Sequence, residues 1–262
     1  SQSGETLDTL EGLKEAKRNG AKVLAITNVV GSSIAREADN VVYTWAGPEI
    51  AVASTKAYTT QMVILYLIAI DMAYKFGKMT REEYVQDIDD LYALRPLVEK
   101  MLTYNKQIKE IANVVKTSHS MFYLGRGLDF LIAVEGALKS KEISYIHSEA
   151  FASGELKHGT IALIEEGVPV IINLTQESLI EKSISNIKEV AARGAYIIAV
   201  ATEGTPMIDE AANEVFYIPK VKDENTGFLT IIIHQLMAYY LSALKGLDVD
   251  KPRNLAKSVT VE

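Results

Sequence analysis

The 262-residue chain contains no cysteine. That excludes a disulfide framework, thiolate zinc sites and a cysteine nucleophile, and it is compatible with a reducing cytoplasm. Histidine is scarce: His119, His147, His158 and His234 are the four, and no two stand at a metal-ligand spacing, so neither a metal nor a cofactor is expected. Basic charge is in deficit, with 27 Lys and Arg against 34 Asp and Glu for a net charge of −7. Such a balance argues against a nucleic-acid footprint or a surface for anionic membranes. An anion, if bound, must be held by a local site and not by the overall field. No basic, apolar leader opens the chain, and the longest apolar stretch, Met62 to Ile70, falls far short of the roughly 20 residues of a membrane helix. What is present, 48% hydrophobic and 23% charged residues, is the profile of a soluble globular protein with one large domain or two ordinary ones. Disorder, collagen and coiled coil are excluded.

An internal repeat organises the chain. At an offset of 174 positions, which sets Thr175 against Ser1, Lys14-Glu15 falls on Lys188-Glu189 and Gly20-Ala21 on Gly194-Ala195. Ala25, Ile34, Ala38, Val41 and Tyr43 fall on Ala199, Ile208, Ala212, Val215 and Tyr217, and Gln61, Tyr66, Leu67 and Ala69 on Gln235, Tyr240, Leu241 and Ala243. Each copy reads as a helix closed by glycine, a buried strand (Lys22 to Ile26; Tyr196 to Val200), a short helix, a second strand (Asn40 to Tyr43; Glu214 to Ile218) and a long apolar helix (Ser54 to Phe76; Phe228 to Leu244). Strands alternating with helices imply an α/β fold with parallel sheets flanked by helices. Ahead of the second copy stand further elements: a strand at Ser120 to Leu124, a helix at Asp129 to Tyr145 and a strand at Val168 to Leu174. The first copy has none of these, so the chain is expected to be a piece of a longer protein, with a partner covering the open edge of its first sheet. The division expected is residues 1–77 for the second half of one unit, 78–117 for two linking helices interrupted by Pro96, 118–245 for a complete unit and 246–262 for a tail without periodicity.

Several places carry residues suited to chemistry. Ser1-Gln2-Ser3-Gly4-Glu5-Thr6 stands directly before a helix. Hydroxyls, a glycine and a helix N-terminus are the parts of a phosphate cradle, although serine before a helix is also an ordinary cap. The second copy has Glu177 and Ile180 where the first has Ser3 and Thr6, so only the first keeps the hydroxyl cluster. Val52-Ala53-Ser54-Thr55-Lys56 opens the long helix, with Ser54 the natural cap. Lys139 and Glu142 share a helix face three residues apart, usually the mark of a solvated ion pair. A carboxylate beside a sugar phosphate, however, could move a proton between adjacent carbons. His158 sits in the glycine-bounded loop Gly154 to Gly159, a better place for function than His234 in an apolar helix. Nothing in the periodicity singles out Lys257 in the tail.

SQSGET before a helix, EIAVASTKAY, GRG followed by EGALKSKEISYIHSEAFASGELKHG, and the terminal DKPRNLAKSVTVE together resemble the sugar isomerase (SIS) domains of the glutamine–fructose-6-phosphate aminotransferase family, over essentially the whole chain. SQSGET marks only the broader SIS superfamily; GELKHG combined with PRNLAKSVTVE is far more specific. The resemblance implies two SIS units, each a parallel sheet flanked by helices. It also implies conversion of fructose 6-phosphate, with ammonia from a glutaminase domain outside this chain, to glucosamine 6-phosphate in a cytoplasmic homodimer. By the same resemblance Ser1, Gln2, Ser3 and Thr6 hold the phosphate, and Val52 and Ser54 line the sugar. Glu142 carries a proton between C1 and C2 with Lys139 as its neighbour. His158, supplied by the other subunit, serves ring opening, and Lys257 forms a Schiff base with the open-chain ketose. For that, Lys257 would need a lowered pKa, through burial or a cation such as Arg253 or Lys139. The competing reading is a non-catalytic SIS module that binds a phosphosugar for regulation. Such a module needs the hydroxyl loop but has no use for Glu142, His158 and Lys257 together.

Overall fold

The computed structural model describes residues 1–259, so the end of the terminal motif, residues 260–262, lies outside the described residues. Contacts divide the chain into two units, Ser1–Asp90 together with the tail from Asp250, and Leu91–Val249.

In the first unit α1 (Leu7–Arg18) leads to β1 (Leu24–Thr27), α2 (Ser33–Glu37), β2 (Asn40–Tyr43) and α3 (Lys56–Lys75). The helix α1 ends where Gly20 takes φ +82, with Gly20 N–H bonding Lys17 O and Ala21 N–H bonding Ala16 O. Only a residue without Cβ adopts that turn at little cost, and Gly194 repeats it at φ +81. Strands β1 and β2 are parallel, with Leu24 opposite Asn40. A small core of Leu13, Ala25 and Ile34 lies beneath them.

The helix α4 (Arg81–Met101) crosses the division between the units. Pro96 lies inside it and does not interrupt the linking stretch as expected. Proline removes a bond to the carbonyl four residues earlier, here that of Tyr92, which is 80% exposed, so water can take that bond. The break comes instead at a 3₁₀ turn, Leu102–Tyr104.

The second unit holds α5 (Asn105–Val115), β3 (Ser120–Gly125), α6 (Leu128–Ser144), β4 (His147–Ala152), β5 (Pro169–Leu174), α7 (Ile180–Ala191), β6 (Tyr196–Thr202), α8 (Ile208–Ala211), β7 (Glu214–Ile218) and α9 (Thr226–Ala243). All five strands are parallel in the order β4-β3-β5-β6-β7. Ile198 pairs with Glu214, the 174-position image of the Leu24–Asn40 pair, so the repeat extends to strand register. Burial on both faces explains the unbroken apolar runs. Phe122, Leu124, Ile172 and Ala199 pack with Ile184, Ile187 and Val190 of α7. On the opposite face Tyr123 meets His234 of α9 edge to face and its hydroxyl bonds Ser140 of α6.

His234 is fully buried, with Nε2 3.0 Å from Asn173 Oδ1, and burial pushes its pKa down to about 3. A histidine neutral when folded but protonated when unfolded contributes stability that is complete above its unfolded pKa of about 6.5 and is lost as pH falls. We expect wild type to lose up to about 1.4 kcal/mol per pH unit more than His234→Gln between pH 6.5 and 3, measured by urea unfolding at several pH values. Parallel slopes for the two proteins would contradict the assignment.

The two long apolar helices differ in burial. In α9, Phe228, Leu229, Ile231, Ile233, Met237 and Leu241 are buried. In α3 only Ala57 and Ile70 are buried, and Leu65, Met72 and Tyr74 are exposed. Counted as a whole helix and not as an unbroken apolar run, α3 is long and apolar enough, at mean hydropathy 1.2, to meet the length and composition of a membrane span, contrary to the reading from Met62 to Ile70 alone.

Candidate functional site

The candidate residues fall into two groups, one in each unit. In the first unit, Ser1–Thr6 is folded on its own hydroxyls. Ser1 Oγ lies 2.9 Å from Thr6 Oγ1 and accepts Gly4 N–H, while Ser3 Oγ accepts Glu5 N–H. Gln2 O accepts Asn28 N–H from the end of β1, so the loop sits at the C-terminal ends of the strands, where open α/β sheets bind ligands. Gly4 has φ +69, and a Cβ there would fall 2.0 Å from Ser32 Oγ; neither the conformation nor the space admits a side chain. Thr6 stands at the N-cap of α1 without a capping bond from its side chain. The hydroxyl cluster is therefore not explained by capping. Glu5 turns away to accept Ser33 N–H, and the bonds from Ser33 hold its carboxyl below the usual range.

Ser54 is likewise no cap. The helix α3 starts only at Lys56, and Glu49 Oε2, eight residues back, accepts Ala57 N–H. In the second copy α9 starts at Thr226, the image of Val52. The first unit has thus lost the opening helical turn, and Val52 to Thr55 lie outside the helix. The tail lands on this unwound turn. Asp250 O accepts Val52 N–H, and the half-buried Lys257 places Nζ 2.5 Å from Ala51 O and 3.4 Å from Ser54 Oγ. One residue on, Ser258 Oγ is 3.2 Å from Ser3 Oγ, and Val259 O accepts Leu7 N–H. The tail thus ties the hydroxyl loop to the Ser54 turn. Ser1, Ser3, Thr6, Val52, Ser54 and Lys257 belong to one unit, and Lys139, named as a cation for Lys257, belongs to the other.

In the second unit α6 carries three charges on one stripe. Lys139 Nζ lies 2.7 Å from Glu142 Oε2 and 3.5 Å from Glu135 Oε1, and the lysine is 6% exposed. This is not a solvated pair but a triad in which two partly buried carboxylates flank one buried cation. Burial pushes the Glu135 carboxyl up, the Lys139 charge lowers it and Glu142 raises it further. Glu135 escaped notice in the sequence, although its position four residues before Lys139 places it on the same face. The helix can pack this deeply because Gly136 faces His234 and Tyr123, where a Cβ would approach to 2.8 Å. His158 lies not in an irregular loop but at the end of a 3₁₀ turn, Ser153–His158, and is exposed.

The SIS domain family model matches residues 1–71 and 115–245. The chain is 57% identical over its whole length to a glutamine–fructose-6-phosphate aminotransferase of Caldanaerobacter subterraneus and 56% to one of Clostridium tetani, and spans 43% of each. Its backbone matches the C-terminal domain of glucosamine-fructose-6-phosphate aminotransferase from Francisella tularensis with TM-score 0.91 and 39% identity, covering 96% of this chain and 71% of that one. A glucosamine-6-phosphate deaminase from Thermotoga maritima, at 23% identity and TM-score 0.70 over 99% of this chain and 73% of the other, shares the fold. The chain belongs to the SIS domain family, among the C-terminal sugar isomerase domains of glutamine–fructose-6-phosphate aminotransferases.

Proposed function

We propose that this chain is the sugar-isomerising part of a glucosamine 6-phosphate synthase, acting on fructose 6-phosphate with ammonia released by a glutaminase domain. The observation that carries the reading is Lys257 laid on the unwound Ser54 turn beside the hydroxyl loop. A module that only binds a phosphosugar needs the loop but no amine delivered to it.

In this reading Ser1, Gln2, Ser3 and Thr6 take the phosphate through hydroxyls and backbone amides, while Val52 and Ser54 face the sugar. The phosphate is remote from the reacting carbons and works as a handle for orientation. His158 assists ring opening. The Lys257 amine adds to the C2 carbonyl and water leaves; ammonia then displaces the lysine. The nitrogen at C2 is a better electron sink than oxygen, so the C1 proton becomes removable, and Glu142 takes it and returns it to C2. Lys139, 2.7 Å away, holds Glu142 in place. A homodimer in which His158 serves the partner's site completes the proposal. We place the protein in the cytoplasm because an ionised sugar phosphate does not cross a bilayer. The apolar exterior of α3 is read as a protein-packing face, since its repeat image α9 is a core helix.

A structure with fructose 6-phosphate or glucosamine 6-phosphate bound tests the loop. The phosphate is expected at Ser1–Thr6, and Ser3→Glu, which installs the charge that Glu177 carries in the second copy, is expected to weaken binding by about 100-fold or more through like-charge repulsion in a site built for an anion. A phosphate found at Thr175 to Ile180, or unaltered binding by Ser3→Glu in calorimetry, would overturn it.

A further inference from the structure

Four polar side chains form a continuous chain in the second unit. Arg126, in the turn between β3 and α6, donates through Nε and Nη2 to Asn186 Oδ1 at 3.1 and 2.9 Å. Asn186, on α7 and 4% exposed, donates through Nδ2 to Glu189 Oε2 at 3.2 Å. The other oxygen of Glu189 lies 2.8 Å from Lys157 Nζ, and Lys157 immediately precedes His158. The guanidinium also lies against the start of the same 3₁₀ turn, where a Cβ on Gly154 would come within 3.4 Å of Arg126 Nη1. The chain therefore meets the turn Ser153–His158 at both ends. Burial pushes the Glu189 carboxyl up, but the bonds from Lys157 and Asn186 and the charges of Lys157 and Arg126 hold it below the usual range.

We infer that Arg126, Asn186 and Glu189 are positioning residues that fix where His158 is presented. They clamp its turn to α7 and tie that clamp to the turn at the head of α6, the helix that carries Lys139 and Glu142. An isolated exposed ion pair adds little stability; the value of this one lies in direction. The Glu189 carboxylate is held on one oxygen by the buried Asn186, so the other offers Lys157 one place only. A displacement of about 1 Å at a reacting group can cost on the order of 100-fold in rate.

The inference rests on the reading of His158 as the ring-opening residue, and its test separates the two. Fructose 6-phosphate must open before it reacts. 5-Deoxyfructose 6-phosphate lacks the hydroxyl that closes the furanose, so it is already open. Glu189→Gln and Lys157→Gln are each expected to slow isomerisation of fructose 6-phosphate by about tenfold, a fraction of the loss that misplacement can cause, in kcat more than in KM. They should leave the 5-deoxy substrate within about twofold of wild type, and the double variant should add nothing, as for two members of one pair. His158→Gln should show the same selectivity with a larger loss. Selectivity in His158→Gln without an effect of Glu189→Gln overturns the positioning role and leaves the reading of His158 standing. Equal losses on both substrates in His158→Gln overturn that reading and this inference with it. A readout free of activity is amide hydrogen exchange: Glu189→Gln should speed exchange at residues 153–158 while α7 keeps its protection, and unchanged exchange there overturns the clamp.

Discussion

In Lys257→Arg, borohydride treatment in the presence of fructose 6-phosphate is expected to trap no adduct, whereas the wild-type chain should carry one on the peptide containing Lys257. Two links support this. The first is placement: the tail is held at Val52, Ser54, Ser3 and Leu7 by Asp250, Lys257, Ser258 and Val259, so the amine is carried to the one turn of α3 that the repeat shows to be unwound. The second is chemistry. A Schiff base needs an amine that can lose its proton, and arginine stays charged at any usable pH. The same substitution keeps a cation near Ala51 O, so the fold of the tail should survive and phosphate binding should change little. Turnover should fall on the order of 1,000-fold or more, the scale seen when a group acting as part of a catalytic unit is removed. Peptide mapping of the trapped adduct and a steady-state assay supply both measurements. An adduct found on Lys139 alone, or an undiminished rate in the variant, would show that the tail is not catalytic.

The elements differ, for physical reasons, in how plainly the sequence marks them. Strands β2 and β7 begin and end where the apolar patterning places them, and their common register follows from the repeat. Strand β4 went unseen because it is an edge strand: His147 to Ala152 is only partly buried along its length and so carries neither the continuous apolar run of an inner strand nor clean alternation. Serine before a helix reads as a cap at both Ser1–Thr6 and Ser54, and at Ser54 this fails because Glu49, eight residues before Ala57, supplies the acceptor. No local pattern reveals a cap from that distance. The i, i+3 pair of Lys139 and Glu142 read as solvated because spacing reports a shared face but not what covers it. The packing of α6 against α9, which depends on Gly136 admitting His234, sets the burial. Lys257 had no signal in periodicity at all. Its partners lie about two hundred positions earlier, and only the terminal motif's resemblance to a known family marked it.

Glu142→Gln is expected to lower turnover by about 100- to 10,000-fold, the range that a positioned general base contributes, while leaving sugar phosphate affinity nearly intact. The amide keeps the shape and can still meet Lys139, so a loss of rate reports the missing proton acceptor. Stability should fall as well, because Lys139 is 6% exposed and, among the described residues, would keep Glu135, 3.5 Å away, as its charged partner; taking one charge from beside a buried cation leaves the cation undercompensated. Thermal unfolding beside kinetics separates the two effects, since a folded variant that binds fructose 6-phosphate but does not exchange its C1 hydrogen has lost chemistry alone. The same variant tests the proposed sharing of sites. If His158 acts in the partner's site, Glu142→Gln and His158→Ala chains are each nearly inactive alone. In a mixed dimer one site then inherits both lesions and the other neither, so equal mixing under subunit exchange should restore about a quarter of wild-type activity: half of the dimers are mixed and each has one intact site. If His158 and Glu142 serve one site from the same chain, every site keeps one lesion and no mixing ratio restores activity. A C1 hydrogen that exchanges at the wild-type rate in Glu142→Gln would remove the carboxylate from the mechanism whatever the mixing experiment gave.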